Sequence, residues 1–388
     1  MKALGALHIQ LVEWLVQAAY PLWSTRGIDA GNGGFIEALD RNAAPLSHPR
    51  RARVPPRQIY AFAQARGFGW HGDAGAVVLR GTEYFTNRYR RPDGLFRTLV
   101  SAEGTVLDER ALLYDQAFAL LGYAAAASAT NALPAFERRA IGLRNAIESR
   151  FKAGDGAFFS DEESRSPRES NPHMHLLEAC LAWAEISADA GWTQWTRSLV
   201  ELALSRFILR ESGAMGESFE ENWQPTIGGA GRLVEPGHQF EWAWLLLRSA
   251  AHHTIPVRDV ALRLIAIGEN VGVHNGVAVN ALLDDFTVTN GGARLWPQTE
   301  RLKAALRAAS VTGNPNYWSI AQAAAASLRR YLDTPIRGLW FDERKSDGTL
   351  IDSPVPASTF YHLVGAIAEL DVALRNANPE EGTRQWNT

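Results

Sequence analysis

Cysteine is almost absent from this chain: Cys180 is the only one in 388 residues, so an intrachain disulfide is excluded. It lies in the apolar stretch Leu176 to Trp183, where packing is its expected role. An excess of charge of one sign is missing as well. Lys and Arg number 39 against 42 Asp and Glu, a formal charge of −3 without a basic run, which argues against nucleic acid or an anionic membrane surface as a partner. Long apolar runs are lacking too. The longest uncharged stretch, Gln116 to Ala135, is Ala-rich but ends in Ser-Ala-Thr-Asn-Ala-Leu-Pro, too polar there to span a bilayer, and is expected as a buried helix. Met1 to Trp23 carries Glu13 inside its apolar stretch and lacks the small-residue cleavage pattern of a secretory signal. It reads as an amphipathic helix, and a cytoplasmic location is expected. Gly31 to Gly34 is not followed by Lys-Ser/Thr, so it predicts a turn rather than a phosphate loop.

What the chain does have is apolar material and a period. With 46% hydrophobic and 21% charged residues it can bury a large core, and disorder is expected only in the tail from Asn376 to Thr388. Six glycine-plus-apolar signals recur: Gly34-Phe35, Gly94-Leu95-Phe96, Gly156-Ala157-Phe158, Gly213-Ala214-Met215, Gly276-Val277 and Gly338-Leu339-Trp340. Their spacings are 60, 62, 57, 63 and 62 residues, and each precedes the polar start of an apolar helix by about 20 residues. A unit of that length holds two helices and a short β-hairpin. Repeats running nearly end to end leave no room for a linker, so residues 1–388 read as one domain.

Within the units, segments such as Leu176 to Ile186, Phe240 to Leu247 and Leu363 to Leu370 are apolar nearly all round, whereas Phe136 to Phe151 and Arg258 to Glu269 are charged on one face. The first kind should be buried and the second should cover it. The expected fold is therefore all-α: an (α/α)6 barrel of six inner and six outer helices, with short β-hairpins at the mouth where all inner N-termini meet.

The residues at those starts are Arg57-Gln58, Tyr114-Asp115, Asn171 to His175, Glu235 to His238, Arg294 to Gln298 and Tyr361-His362. Pro236 and Pro297 suit a first helical turn, and Asn171 suits an N-cap. His175, His238 and His362 thus stand at equivalent places in three units and should share one pocket. Around them fall Arg57, Arg232, Tyr114, Trp242, Trp296 and Gln298, forked donors and aromatic walls of the kind a sugar requires. Glu178 and Glu241 each follow a histidine by three residues and so share its helix face, where a carboxylate can set the ring tautomer and proton affinity. His362 has no such neighbour, since Gly365 and Ala366 follow it, and is expected to stay neutral and act as a base. His173, two residues from His175, points to nearly the opposite side of the helix, and packing or capping near the pocket rim is as open to it as a functional role. His252-His253 reads as a solvated helix end, and Asp284-Asp285 as part of the longest hairpin.

Histidines that take and return a proton beside a sugar aldehyde, with Arg57 or Arg232 stabilising the enediolate oxygen, make an isomerase or epimerase that needs no redox cofactor. The segments Asn171-Pro172-His173-Met174-His175-Leu176-Leu177-Glu178-Ala179, Glu235-Pro236-Gly237-His238-Gln239-Phe240-Glu241-Trp242 and Arg294-Leu295-Trp296-Pro297-Gln298-Thr299-Glu300 resemble motifs of the N-acylglucosamine 2-epimerase superfamily. They are most similar to its branch of mannose isomerases and related aldose–ketose isomerases.

The resemblance implies an (α/α)6 barrel and metal-free, cofactor-free proton transfer between C1 and C2 of an unmodified aldose, D-mannose to D-fructose or a lyxose/xylulose-type pair. It implies His238 and His362 as the acid and base. His175, Arg57, Asn171 and Arg232 would bind substrate or open its ring, and Glu235 and Glu241 would support the pocket. Gln298 stands where epimerases of N-acetyl sugars have a histidine, which favours the isomerase branch. The expected partner is a monosaccharide and the expected assembly a monomer or homodimer. The rivals are a sugar 2-epimerase, a glycoside hydrolase working through inward carboxylates such as Asp115, Glu235 and Glu300, a metalloenzyme built on His175, Glu178, His238 and Glu241, and a binding protein without catalysis.

Overall fold

The computed structural model describes residues 1–377; the rest of the tail expected to be disordered lies outside them. The outer helices are α1 (Lys2–Trp14, carried through a π-helical turn at Leu15–Ala19 into Tyr20–Thr25), α3 (Ala74–Tyr89), α5 (Leu133–Phe151), α7 (Ala190–Leu202), α9 (Arg258–Val271) and α11 (Pro315–Tyr331). Each is followed by a hairpin and then an inner helix: α2 (Val54–Gln64), α4 (Leu113–Thr130), α6 (Ser170–Ala184), α8 (Pro236–Ser249), α10 (Leu295–Thr312) and α12 (Ser358–Ala377). This is the (α/α)6 barrel. The two rings differ as their sequences require. Helix α9 buries Ala261, Leu264, Ile265 and Gly268, a single stripe, whereas α4 buries an unbroken run from Asp115 to Ala127. The buried run stops short of the expected end at Ala135, because Asn131 adopts φ 53 and turns the chain into α5. Among the described residues no helix is long and apolar enough to cross a membrane.

The hairpins hold the ring together. Gly33, Gly94, Gly156, Gly213, Gly276 and Gly338 all have positive φ, so the first turn is made at Gly33 rather than Gly34. Each inner-helix start then pairs antiparallel with the hairpin of the next unit: Arg50–Arg51 with Leu99–Val100, Leu112 with Asp161, Arg168–Glu169 with Ser218–Phe219, Leu233–Val234 with Ala281–Leu283, and Ala293–Arg294 with Glu343–Arg344. Val355–Pro356 pairs with Ala38–Leu39 and joins the last unit to the first. Aromatic packing reinforces that join: Trp23 stacks on Trp340 at 4.9 Å and donates its indole N–H to Gly338 O at 3.1 Å.

One further device repeats, and it reassigns Gln298. Its side chain is fully buried, accepts from Ala278 N–H at 2.8 Å and donates to the carbonyls of Ala278 and Arg294 at 2.8 and 2.9 Å. Gln116 clamps Phe96, and Gln239 clamps Met215, in the same manner. His173 does so in the third unit, accepting from Phe158 N–H at 3.1 Å with Nδ1 on Glu169 O at 2.8 Å. These side chains satisfy hairpin backbone groups that would otherwise be orphaned in the core. Gln298 therefore does not face the pocket, and its identity does not bear on the choice between N-acetyl and free sugars.

Candidate active site

All six inner-helix starts contribute to a cavity of about 330 Å³ at the mouth. Arg57, Tyr114, Asn171, His175, Glu235, His238, Glu241, Trp296 and His362 line it, as the sequence expected, and Arg51, Arg294, Asp342 and Thr359 join them. Three expected members are elsewhere. Trp242 is wholly buried and packs on Phe207 at 5.9 Å, on the core side of α8. Gln298 is a backbone clamp. Arg232 lies in a single helical turn, Gly229–Arg232, and is held by Asp284 at 2.8 Å and Asp285 at 2.7 Å over a separate surface groove of about 880 Å³. The loop that carries Arg232 is tied to the longest hairpin rather than folded over the mouth.

The three histidines converge, but not from equivalent positions. His238 is three residues past the N-cap of its helix, Glu235, whereas His175 is six past its own, Glu169, a turn deeper. Their carboxylates differ from expectation as well. His175 Nδ1 does meet Glu178 Oε2 at 3.2 Å, with Glu241 at 3.9 Å. His238 Nδ1 instead meets Glu217 Oε2 at 2.9 Å, and His362 Nδ1 meets Glu300 Oε1 at 2.8 Å, so the ring expected to lack a carboxylate has one from a neighbouring helix. The indole of Trp296 lies between these two rings, 5.1 Å from His238 and 5.7 Å from His362. Gly237 leaves room for it, since a Cβ there would come within 2.4 Å of the indole.

Environment pulls the histidines apart. Burial drives His175 down to about 4, against the opposing pull of Glu178, and it is neutral throughout the neutral range. Burial also lowers His362; it outweighs the opposing pull of Glu300, with Arg57 and Lys303 adding smaller downward contributions. His238 is equally buried, yet Glu217, Glu235 and Glu241 together overcome burial and raise it to about 10. One ring is a cation at neutral pH and its counterpart across Trp296 is a free base.

Beneath the cavity lies a buried charge cluster. Glu300 accepts from Lys303 Nζ at 2.7 Å, Lys303 also sits 3.5 Å over the Trp244 ring, and Tyr361 donates its hydroxyl to Glu178. Burial and the neighbouring Glu300 and Glu178 push Glu241 well above the usual carboxylate range, so it carries a proton. Two sets here, His175–Glu178–Glu241 and Glu241–Glu300–His362, have the donor types and closeness of metal ligands. The Lys303 ammonium already supplies a cation to Glu300, and His238 belongs to neither set, so the four residues of the metalloenzyme reading are not brought together.

Uncommitted polar atoms are gathered at this cavity. Arg57 stacks on the Phe118 ring at 4.1 Å and donates to the Tyr114 hydroxyl, yet its Nε has no partner and, among the described residues, no carboxylate pairs with it. Asn171 Oδ1, Glu217 Oε1 and Glu241 Oε1 are likewise buried without partners. The other arginines nearby are committed: Arg51 to Glu37, Arg53 to Asp115 at 2.9 Å and Arg294 to Glu235 at 2.9 Å.

Glu217, Lys303 and the role of Glu300 escaped the sequence reading, but a signal existed. The residues four past the hairpin glycines are Glu37, Thr98, Ser160, Glu217, Asn280 and Asp342, every one polar, and five of them are buried. The hairpin pairing points this position at the neighbouring helix starts; the carbonyl of Glu217, for example, accepts from Ser170 N–H.

Comparison with known proteins identifies the family of the chain. The chain is 44% identical to a mannose-6-phosphate isomerase of Rhizobium meliloti, over 95% of this chain and 98% of that one. It is 27% identical to a D-mannose isomerase of Thermobifida fusca, over 89% and 91% of the two chains. A crystal structure of a D-mannose isomerase superposes with a TM-score of 0.85 at 21% identity, over 93% of this chain and 97% of that one. The family model of N-acylglucosamine 2-epimerase matches residues 33–366, and the chain belongs to that family.

Proposed function

We propose that this protein is an aldose–ketose isomerase that interconverts D-mannose and D-fructose. As a member of its family it is a sugar isomerase or epimerase; the finer assignment rests on one observation. Two histidines of opposite proton affinity face one cavity across a single indole.

His362, neutral, takes the proton from C2 of the open-chain aldose with its Nε2, because Nδ1 is occupied by Glu300. The electron pair left at C2 forms the C1–C2 double bond and charge moves to O1, where the uncommitted Arg57 guanidinium stabilises it. Before this, His238, cationic, protonates the ring oxygen as the C1–O5 bond breaks and recovers a proton from the anomeric hydroxyl as C1=O1 forms, so it is again an acid for the sugar oxygens. His362 returns its proton to C1 while His238 gives a proton to O1 and takes the one on O2, so that the C2=O2 carbonyl of the ketose forms and both rings regain their starting states. Neutral His175 and Asn171 Oδ1 hold hydroxyls, and Trp296 supplies the apolar wall.

A second reading concerns the substrate. The relative that is 44% identical is named for a sugar 6-phosphate. The arginines at the cavity edge, Arg51 and Arg294, would be the ligands of such a phosphate, and each already has a carboxylate partner, which supports the free sugar.

The test is proton NMR in deuterated water with D-mannose and, in parallel, D-mannose 6-phosphate. Fructose from mannose is expected. Fructose 6-phosphate alone would move the substrate to the phosphate ester, deuterated glucose without ketose would move the reaction to 2-epimerisation, and no exchange at C2 of any aldose would remove the proton-transfer reading.

A further inference from the structure

Lys303 is an odd residue to find where it is: an ammonium only 2% exposed, one turn along α10 from Glu300, below the cavity and out of reach of any sugar in it. A buried charge has to be paired, and breaking such a pair is costly because the remaining charge is stranded. The pairing here has a direction. Lys303 Nζ holds Glu300 Oε2 at 2.7 Å while the other oxygen of that carboxylate takes His362 Nδ1 at 2.8 Å. The chain of contacts therefore runs lysine, carboxylate, imidazole, cavity.

We propose that Lys303 is the positioning residue for His362: its ammonium keeps Glu300 ionised, and ionised Glu300 keeps His362 as the Nδ1–H tautomer with Nε2 bare toward the cavity. The inference rests on His362 being the base of the isomerase reading. The surroundings make Lys303 necessary. Facing the cluster are Glu178 and His175 from α6, Glu241 from α8, Tyr361 from α12, and Tyr60 and Arg57 from α2. Glu241 is already protonated, so Glu178 and Glu300 are the anions, and Lys303 is the buried cation between them. Without it the cluster would carry excess negative charge in a medium that does not tolerate it, and a proton would be drawn in, onto His362 or Glu300. Either site disables the base. Proton uptake by His362 blocks Nε2, and proton uptake by Glu300 removes the acceptor that fixes the tautomer.

The experiment is ¹⁵N NMR of histidine-labelled protein without substrate, with the His362 signals assigned by loss in His362→Asn. Wild type should show a neutral Nδ1–H ring for His362 at neutral pH, and Lys303→Met should show a ring that titrates at least about one pH unit higher or that no longer holds the Nδ1–H form. With mannose, Lys303→Met should lower kcat about tenfold or more at neutral pH with KM changed less than about twofold, and the loss should recover as pH rises. Lys303→Arg should keep the wild-type profile. If Lys303→Met does not fold, the neutral pair Lys303→Met/Glu300→Gln carries the test, and its acid limb should not move upward. A His362 ring in Lys303→Met that keeps both its wild-type titration and its wild-type Nδ1–H form, or an upward-shifted limb in the double variant, overturns the proposal. The ring titration is read without turnover, so it stands or falls separately from the isomerase assignment.

Discussion

His238 and His362 have the same immediate partner, a carboxylate on Nδ1 at 2.9 and 2.8 Å, and yet their proton affinities lie on opposite sides of neutrality. The difference lies in how many charges act on each ring against its burial. Glu217 comes from a hairpin, pairs with no other cation among the described residues, and acts on His238 together with Glu235 and Glu241. His362 has Glu300 to raise it, and burial, helped by the Arg57 and Lys303 cations, outweighs that single carboxylate. A carboxylate beside a histidine thus orients it in both cases, but lifts its proton affinity above the ordinary value only where several carboxylates together overcome burial.

The largest effect should come from removing either ring. His362→Ala and His238→Ala are each expected to lower kcat by about a hundredfold or more, the scale of a lost general base or acid, with His362→Ala also abolishing exchange at C2 in deuterated water. If His238→Ala kept full exchange while losing ketose formation, the two roles would be divided as drawn. Next comes the carboxylate that distinguishes them. Glu217→Gln removes the strongest upward pull on His238, so the alkaline limb of kcat should move down toward neutrality, with about a tenfold loss in mildly alkaline solution. An unmoved limb would mean that Glu235 and Glu241 suffice.

The same contrast should show in stability. His238 is raised above its unfolded value, so its contribution is complete below about 6.5 and fades as pH climbs toward about 10. His175 and His173 are both depressed to about 4, so their neutral forms support the fold above about 6.5 and that support is lost as pH falls through about 4. Thermal denaturation across this range should give the highest Tm near the middle, and Glu217→Gln should flatten the alkaline fall while leaving the acid one.

Much of this is legible in the sequence. The repeat spacing gave the barrel, because only two helices and a hairpin fit a unit of that length. Arg57, Tyr114, Asn171, His175, Glu235, His238, Trp296 and His362 were found by their place at helix starts. What the sequence hid were contacts between units. Glu217 and Glu300 reach histidines 21 and 62 residues away, and helix periodicity suggested nearer carboxylates instead. Trp242 and Gln298 sit beside pocket residues in sequence but point to the core, since neighbours on a helix face different ways.

Gln298 offers the smallest effect on chemistry and the sharpest check on that distinction. In Gln298→Ala the N–H and C=O of Ala278 and the Arg294 carbonyl lose their buried partner, which should cost about 2 kcal/mol or more of stability. Turnover per folded molecule should change less than about twofold, because no atom of Gln298 lines the cavity. Gln116→Ala and Gln239→Ala should behave alike, since they clamp Phe96 and Met215 by the same geometry. If Gln298→Ala instead spared stability and changed which sugar is accepted, Gln298 would belong with the histidines after all, and the separation of clamp from pocket would fail at that unit.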